Sequence, residues 1–339
     1  MNRGTRTKTN GPSTKALAAC VAALMATGSA GALEWQTTPT VSLMSTNDSN
    51  YRLRTVNERE VSSSRLDANA SITGSSDRMT LDFRPRVRSI NFSDDREFDR
   101  NDQFLYTSLA VGGERQRVTM SADFVRDGTL TNALEDTGFT EVDAERDRTI
   151  YGLDWAAATS EYGTFAVGLN THRVDYIDEL VSSPLVDYDY ASIALSYAHR
   201  LSERSTLTVS LTGGELDTMS TFGVTENYGF ALAFERALSD SMTLRIAGGQ
   251  YETRRPDSLF EDERDSSLDF SLEKRWDRWS LTTSLSADVE PSAFGVLWRR
   301  ETASVRLAHQ FSERFDANMR ISGGHIESED QMQFFQDRT

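Results

Sequence analysis

Apolar residues that alternate with polar ones, a short polar turn that recurs every 36 to 47 residues, and an export leader together predict an all-β fold. The predicted architecture is a transmembrane up-and-down antiparallel β-barrel. The leader opens the chain. Arg3, Arg6, Lys8 and Lys15 make a basic start, Ala16 to Ala26 an apolar run, and Ala30-Gly31-Ala32 a small-residue cleavage site before Leu33. The run is too short for a spanning helix, which needs about 20 apolar residues. Residues 1–32 are therefore read as a cleaved signal peptide and 33–339 as the barrel. Leu17-Ala18-Ala19-Cys20 fits a lipoprotein cleavage site, but most of the apolar run follows the cysteine, which argues against lipidation there.

Cleavage removes Cys20, the only cysteine, and with it any disulfide framework, thiolate metal site or cysteine nucleophile. It also removes four of the 36 basic residues and none of the 52 acidic ones, so the formal charge moves from −16 to −20. Such an acidic chain is a poor partner for nucleic acid. After residue 32 only one lysine remains, Lys274, among many arginines. No stretch there reaches 18 consecutive apolar residues, so no spanning helix is expected. A mean hydropathy of −0.50 is compatible with a membrane barrel, because lipid-facing and lumen-facing residues average out.

Residues 78–88 show the alternation plainly. Met79, Leu81, Phe83, Pro85 and Val87 share one face, and Thr80, Asp82, Arg84, Arg86 and Arg88 the other. Three arginines need water, so the first face is assigned to lipid. The same rhythm runs through Phe165/Val167/Leu169, Leu207/Val209/Leu211, Tyr228/Phe230/Leu232/Phe234, Met242/Leu244/Ile246, Leu281/Thr283/Leu285 and Ala303/Val305/Leu307. A period of 3.6 would scatter these residues around a helix. The expected lumen-facing set is Asp82, Arg84, Arg86, Arg88, Asp154, Asn170, Arg245, Asp269, Glu273, Arg306 and Arg320, joined by Asp288, Asp316 and Asn318. Its mixed charge suits either a hydrated pore or a salt-bridged, closed interior.

The turns carry the longer period. Ser76-Asp77-Arg78, Ser160-Glu161-Tyr162, Ser202-Glu203-Arg204, Ser239-Asp240-Ser241 and Ser312-Glu313-Arg314 are versions of one motif, with Gly113-Glu114-Arg115 and Trp276-Asp277-Arg278 as variants. Between them lie longer, charge-rich connections at 93–101, 126–148, 175–187, 215–227, 252–265 and 290–300. Short turns on one side and long loops on the other match the periplasmic and extracellular ends of an outer-membrane barrel. Propellers also repeat near 40 residues, but they need four strands per repeat and a blade signature that is absent here. A strand near Thr40–Thr46, a loop at 47–60, a strand near Ser64–Ile72 and the strands around seven short turns make fifteen. Bacterial barrels have even strand numbers. An odd count, ending on Asp337-Arg338-Thr339 without an aromatic terminal residue, is read as a C-terminally truncated barrel of sixteen or eighteen strands.

Leu81-Asp82-Phe83-Arg84-Pro85-Arg86, the segment from Phe98 to Leu105 and Arg126-Asp127-Gly128-Thr129-Leu130-Thr131 stand out beside the Leu-Ser-Glu-Arg type of turn. From about Ser62 onward these segments resemble the porin-like outer-membrane β-barrels encoded near exopolysaccharide export clusters. The resemblance implies an outer-membrane role in polysaccharide export, with polysaccharide export components as partners and a few further strands. It brings no catalytic residues.

Candidate chemistry is sparse. His199 and His309 sit beside short turns, where an interfacial role is expected. His172 with Asp175 has the composition of a His–acid pair but no third group. His325 has no evident partner. The acidic loops Asp94-Asp95, Glu261-Asp262-Glu263 and Glu327-Ser328-Glu329-Asp330 read as solvated charge in preference to cation sites, because arginines are interleaved and no calcium-loop spacing occurs. Trp276 and Trp279 fit an inner aromatic girdle. No catalytic residue, cofactor or metal ligand is assigned. The expected surroundings are outer-membrane lipid and lipopolysaccharide, reached with the barrel-assembly machinery. A porin-like transporter is the leading reading. A surface-interaction barrel with a plugged lumen is the rival, and an outer-membrane hydrolase a distant third.

Overall fold

The computed structural model describes residues 33–48, 61–93, 99–129, 144–177, 185–218, 223–256, 262–292, 295–312 and 315–327. The leader, Cys20 and the C-terminal run after residue 327 lie outside the described residues. Fifteen antiparallel strands form one sheet in sequence order: β1 (Glu34–Asp48), β2 (Val61–Ser76), β3 (Met79–Phe92), β4 (Arg100–Gly112), β5 (Gln116–Gly128), β6 (Glu145–Ala158), β7 (Gly163–Ile177), β8 (Tyr188–Ser202), β9 (Ser205–Thr218), β10 (Val224–Ser239), β11 (Met242–Arg254), β12 (Glu263–Arg275), β13 (Trp279–Pro291), β14 (Leu297–Ser312) and β15 (Phe315–Glu327). No described helix is long and apolar enough to cross a membrane. The strands are 13 to 16 residues long. About 10 tilted residues suffice to cross a bilayer, so each strand projects beyond it.

The registers carry the alternation across the sheet. Phe83 lies opposite Ile72 and Thr107, Leu169 opposite Leu153 and Ile193, and Leu285 opposite Phe270 and Ala303. Leu153, Leu169, Ile193, Leu211, Leu232 and Leu285 are all exposed on this face. A continuous apolar band of that extent is far larger than a soluble surface carries. Replacing Phe83, Leu169, Leu232, Leu244 or Leu285 by arginine is expected to destabilise the folded protein by about 2–4 kcal/mol near mid-bilayer, and arginine at Thr80 or Ser271, on the other face, by much less. Urea unfolding in lipid checks this, and equal penalties on both faces would overturn the assignment.

The sheet curls around its polar face. Leu297 of β14 packs in one buried cluster with Val174 and Tyr176 of β7, Tyr188 of β8 and Leu216 of β9. In a flat sheet, β9 and β14 would stand about 24 Å apart. Since Val174 and Leu216 lie on the face opposite Leu169 and Leu211, that face is the concave one. The sheet remains open. Among the described residues β1 pairs with β2 alone and β15 with β14 alone, and the two edge strands run in the same direction.

The expected long connections are shorter than their charge suggests. β5 continues to Gly128 and β6 begins at Glu145, inside the stretch 126–148 read as loop. Likewise β9 and β10 extend into 215–227 and leave only 219–223 between them. Beyond the membrane both faces of a strand are wet, so the alternation that marks a strand fades while the ladder continues.

Candidate functional site

The inner face has two unlike halves at the long-connection end. Across β2 to β6 runs a ladder of buried ion pairs. Asp67 accepts from Arg86 Nε at 2.9 Å and lies 3.6 Å from Arg88. Arg88 reaches Asp102 at 3.6 Å, and Arg100 reaches it at 3.4 Å. Asp127, with its side chain 0% exposed, accepts from Arg146 Nε at 2.8 Å and Arg148 Nη2 at 2.6 Å. Register places these groups together: Arg88 lies opposite both Asp67 and Asp102, and Arg146 opposite Asp127. The guanidinium carbons of Arg86 and Arg88 also lie 5.1 and 5.0 Å from the Phe104 ring centroid. Opposite charges on neighbouring strands offset part of the cost that a lone buried charge would carry.

From β7 to β11 the same level is neutral. Val174, Tyr176, Tyr188, Leu216, Thr225, Asn227 and Thr253 are buried there. Burial raises the phenol pKa of Tyr176, which lies beyond the outward-facing pair Arg173–Asp175, so its ring stays uncharged. Against this neutral half docks the tip of the β13–β14 hairpin. The β12–β13 ladder stops at Leu268↔Ala287, although β12 begins at Glu263 and β13 runs to Pro291. Freed from its neighbour, the hairpin crosses the mouth. Leu297 joins the buried cluster, Val289 packs on it, and Trp298 and Ser292 are buried beside it. Gly295 adopts φ +73, and a Cβ there would lie 2.8 Å from Thr218 Cγ2 at the end of β9. Both the left-handed backbone and the close approach call for glycine.

All eleven residues expected to face the lumen lie on the polar, concave face by register. Asp82 accepts from Thr73 at 2.7 Å, Arg245 donates to Asp269 at 3.2 Å, and Arg306 lies opposite Arg320. Arg84 lies opposite Tyr106, Asp154 opposite Gly168, Asn170 opposite Ser192 and Glu273 opposite Thr282. Only Arg86 and Arg88 of this set belong to the buried ladder. Of its other members, Arg100, Asp102, Asp127, Arg146 and Arg148 lie in or beside the connections expected at 93–101 and 126–148, whereas Asp67 lies within β2 on the inner face. Asp102 and Asp127 fall within the segments from Phe98 to Leu105 and from Arg126 to Thr131 that carry the resemblance.

His172 and Asp175 fall on opposite faces. His172 turns inward and meets the Tyr188 ring edge-on at 5.5 Å, while Asp175 pairs outward with Arg173. They form no relay. His309 Nδ1 donates to Arg278 O (3.1 Å), and the ring stacks on Trp279. Among the described residues no group of three or more His, Cys, Asp or Glu is placed to hold a metal ion. Asp94-Asp95 and 328–330 lie outside the described residues.

Below the hairpin tip, the neutral wall presents the Tyr190 and Tyr251 rings. It also buries Thr212 Oγ1, Asn227 Oδ1 and His172 Nε2, polar atoms without a hydrogen-bond partner among the described residues. Hydroxyl pairs line the adjoining strands, Ser284 with Ser304 at 2.8 Å and Ser286 with Thr302 at 2.7 Å.

No family model matches the sequence, and no curated protein matches it. Among solved structures the chain is similar to the FrpB iron transporter from Neisseria meningitidis (F5-1 variant, apoprotein form), with 10% identity and a TM-score of 0.51 over 88% of this chain and 55% of that one. It is similar also to the alcaligin outer-membrane receptor FauA from Bordetella pertussis, with 12% identity and a TM-score of 0.44 over 86% and 52%. A third is the TodX monoaromatic hydrocarbon channel (deltaS2 mutant), with 13% identity and a TM-score of 0.37 over 87% and 90%. The chain spans about half the length of the first two. The likeness to FrpB is one of fold, that of an outer-membrane β-barrel.

Proposed function

We propose that this chain, exported by its residues 1–32, is a transport barrel of the bacterial outer membrane whose outer mouth is held shut by the β13–β14 hairpin. The observation that carries the reading is the mouth itself. A concave polar wall is capped by an apolar tip that docks on a neutral sector. A barrel of about this strand number encloses water unless something fills it. A cap built from one displaced hairpin is a device for opening and closing. The eleven inward residues would line the passage, with lipid and lipopolysaccharide around the outer face and the barrel-assembly machinery inserting it.

The cargo we propose is an uncharged, hydroxyl-rich chain, which fits an exopolysaccharide export role with export components as partners. Tyr190 and Tyr251 offer rings to its C–H faces, and the Ser284–Ser304 and Ser286–Thr302 hydroxyl pairs line the adjoining strands. A second reading, a plugged surface-interaction barrel, draws on the same cap together with the salt-bridged ladder. Recording of the intact protein in a planar bilayer separates the two: brief openings from a closed baseline support transport, and permanent silence supports the plug.

Orientation follows from loop length. Epitope tags placed in 130–143 or 257–261 are expected to bind antibody on intact cells, while tags at Glu203 or Asp240 bind only after the outer membrane is opened. The reverse pattern would invert the topology and place the closed mouth on the periplasmic side.

A further inference from the structure

At the short-turn end, aromatic rings gather in one sector. Trp279 of β13 stacks on His309 of β14, centroids 3.9 Å apart. His309 meets Phe311 edge-on at 4.2 Å, and Phe311 lies 5.2 Å from Phe315 of β15. Beside them Trp276, in the β12–β13 turn, carries Lys274 Nζ 4.7 Å above its ring. Lys274 follows Leu268, Phe270 and Leu272 on the outward face, so the only lysine after residue 32 sits where the apolar band ends. Ser241, Arg275, Trp276, Asp277, Arg278, Trp279 and His309 bound an open cleft of about 720 Å³ there.

The cations of this turn are only partly matched. Arg204 is matched by Asp240 across the neighbouring turn, and Arg275 by Glu273. Among the described residues no ion pair holds Lys274 or Arg278, and the Arg278 carbonyl is held by His309 and by Gln310 N. With Asp277 included, the cleft keeps a net positive charge on a chain of strong net negative charge. A lysine stem can lie along apolar surface while its ammonium reaches the headgroup layer, and tryptophan prefers that same depth.

We propose that Lys274, Trp276, Arg278 and Trp279 form a binding site for the headgroup of an anionic phospholipid in the leaflet at the short-turn end. The two cations hold the phosphate, the indoles flank the glycerol, and the acyl chains follow the band from Leu272 upward. The site rests on the outward face being the bilayer face.

The test uses the full chain reconstituted in phosphatidylcholine vesicles with and without phosphatidylglycerol, and counts retained phosphatidylglycerol by native mass spectrometry after mild extraction. Each cation near an anionic surface is worth about fivefold in binding. The Lys274→Gln/Arg278→Gln protein is therefore expected to retain roughly 25-fold less lipid than the unmodified chain. Lys274→Arg/Arg278→Lys and Arg204→Gln are expected to retain as much as the unmodified chain. Heat-modifiable gel mobility confirms that each variant is folded. Equal retention by the double Gln protein, or equal loss in Arg204→Gln, would overturn the site while leaving the barrel intact. A chain that inserts in neither kind of vesicle would overturn the membrane reading and this site with it.

Discussion

Replacing residues 292–296 by a two-residue Asn-Gly turn is expected to convert a barrel that is closed most of the time into one with a steady open level in planar bilayers. The change removes Gly295 from Thr218 and draws Leu297 out of the cluster with Val174, Tyr176 and Leu216. Asn-Gly suits a tight hairpin, so β13 and β14 stay paired while the tip no longer spans the mouth. A reversible counterpart uses Leu216→Cys with Leu297→Cys, introduced into a chain whose only native cysteine, Cys20, lies in the leader. Oxidation should silence the channel and reductant restore its openings. If the shortened protein stays silent, the occlusion lies in the lumen below and the plugged-barrel reading prevails.

The second large effect is on stability. Asp127→Ala leaves Arg146 and Arg148 facing each other without their shared carboxylate, in a place where Asp127 is 0% and Arg146 only 7% exposed. Removing one partner of such a buried group typically costs about 3–5 kcal/mol. The denaturation midpoint in urea and lipid should fall accordingly. Asp127→Ala combined with Arg146→Met and Arg148→Met should recover most of that loss, because no charge is then left unpaired. Arg173→Ala, whose side chain is 49% exposed beside Asp175, should cost about 1 kcal/mol or less. A small effect of Asp127→Ala would mean that water reaches the ladder and that the interior is wetter than its burial indicates.

Much of this fold was legible in the sequence. The alternation at Met79 to Val87 and the Ser-Glu-Arg turns follow from local sterics and from which face meets which solvent, and fifteen strands are the outcome. The upper strand ends were not legible. At Glu145 to Arg148 the residues on both faces are charged, at Glu215 to Thr218 Leu216 stands alone among polar residues, and only cross-strand partners reveal that the ladder continues. Asp147 pairs with Arg126, and Asp127 with Arg146. The closed mouth was hidden for another reason. Val289 and Leu297 share the parity of Leu285 and Ala303, so periodicity assigns them to lipid. Comparison between strands carried the missing signal. At the same height other strands turn charges outward (Arg126, Asp147, Arg173, Asp189, Glu252), while β13 and β14 keep Val289, Pro291 and Leu297 there. An apolar tip above the membrane must be covered by protein.

The early end of the β12–β13 ladder turns that tip into one side of a balance. Continued in register, Ser267, Ser266, Asp265 and Arg264 would meet Asp288, Val289, Glu290 and Pro291, which now lie apart from them. Zippering these residues would gain a few backbone hydrogen bonds, each worth about 0.5–1.5 kcal/mol. It would forfeit the burial of Leu297 and Val289, worth about 1.5–3 kcal/mol per side chain. The two sums are of the same size. The hairpin's place across the mouth therefore rests on a small difference between two comparable sums, which a cargo chain below or a ligand outside would need only to tip.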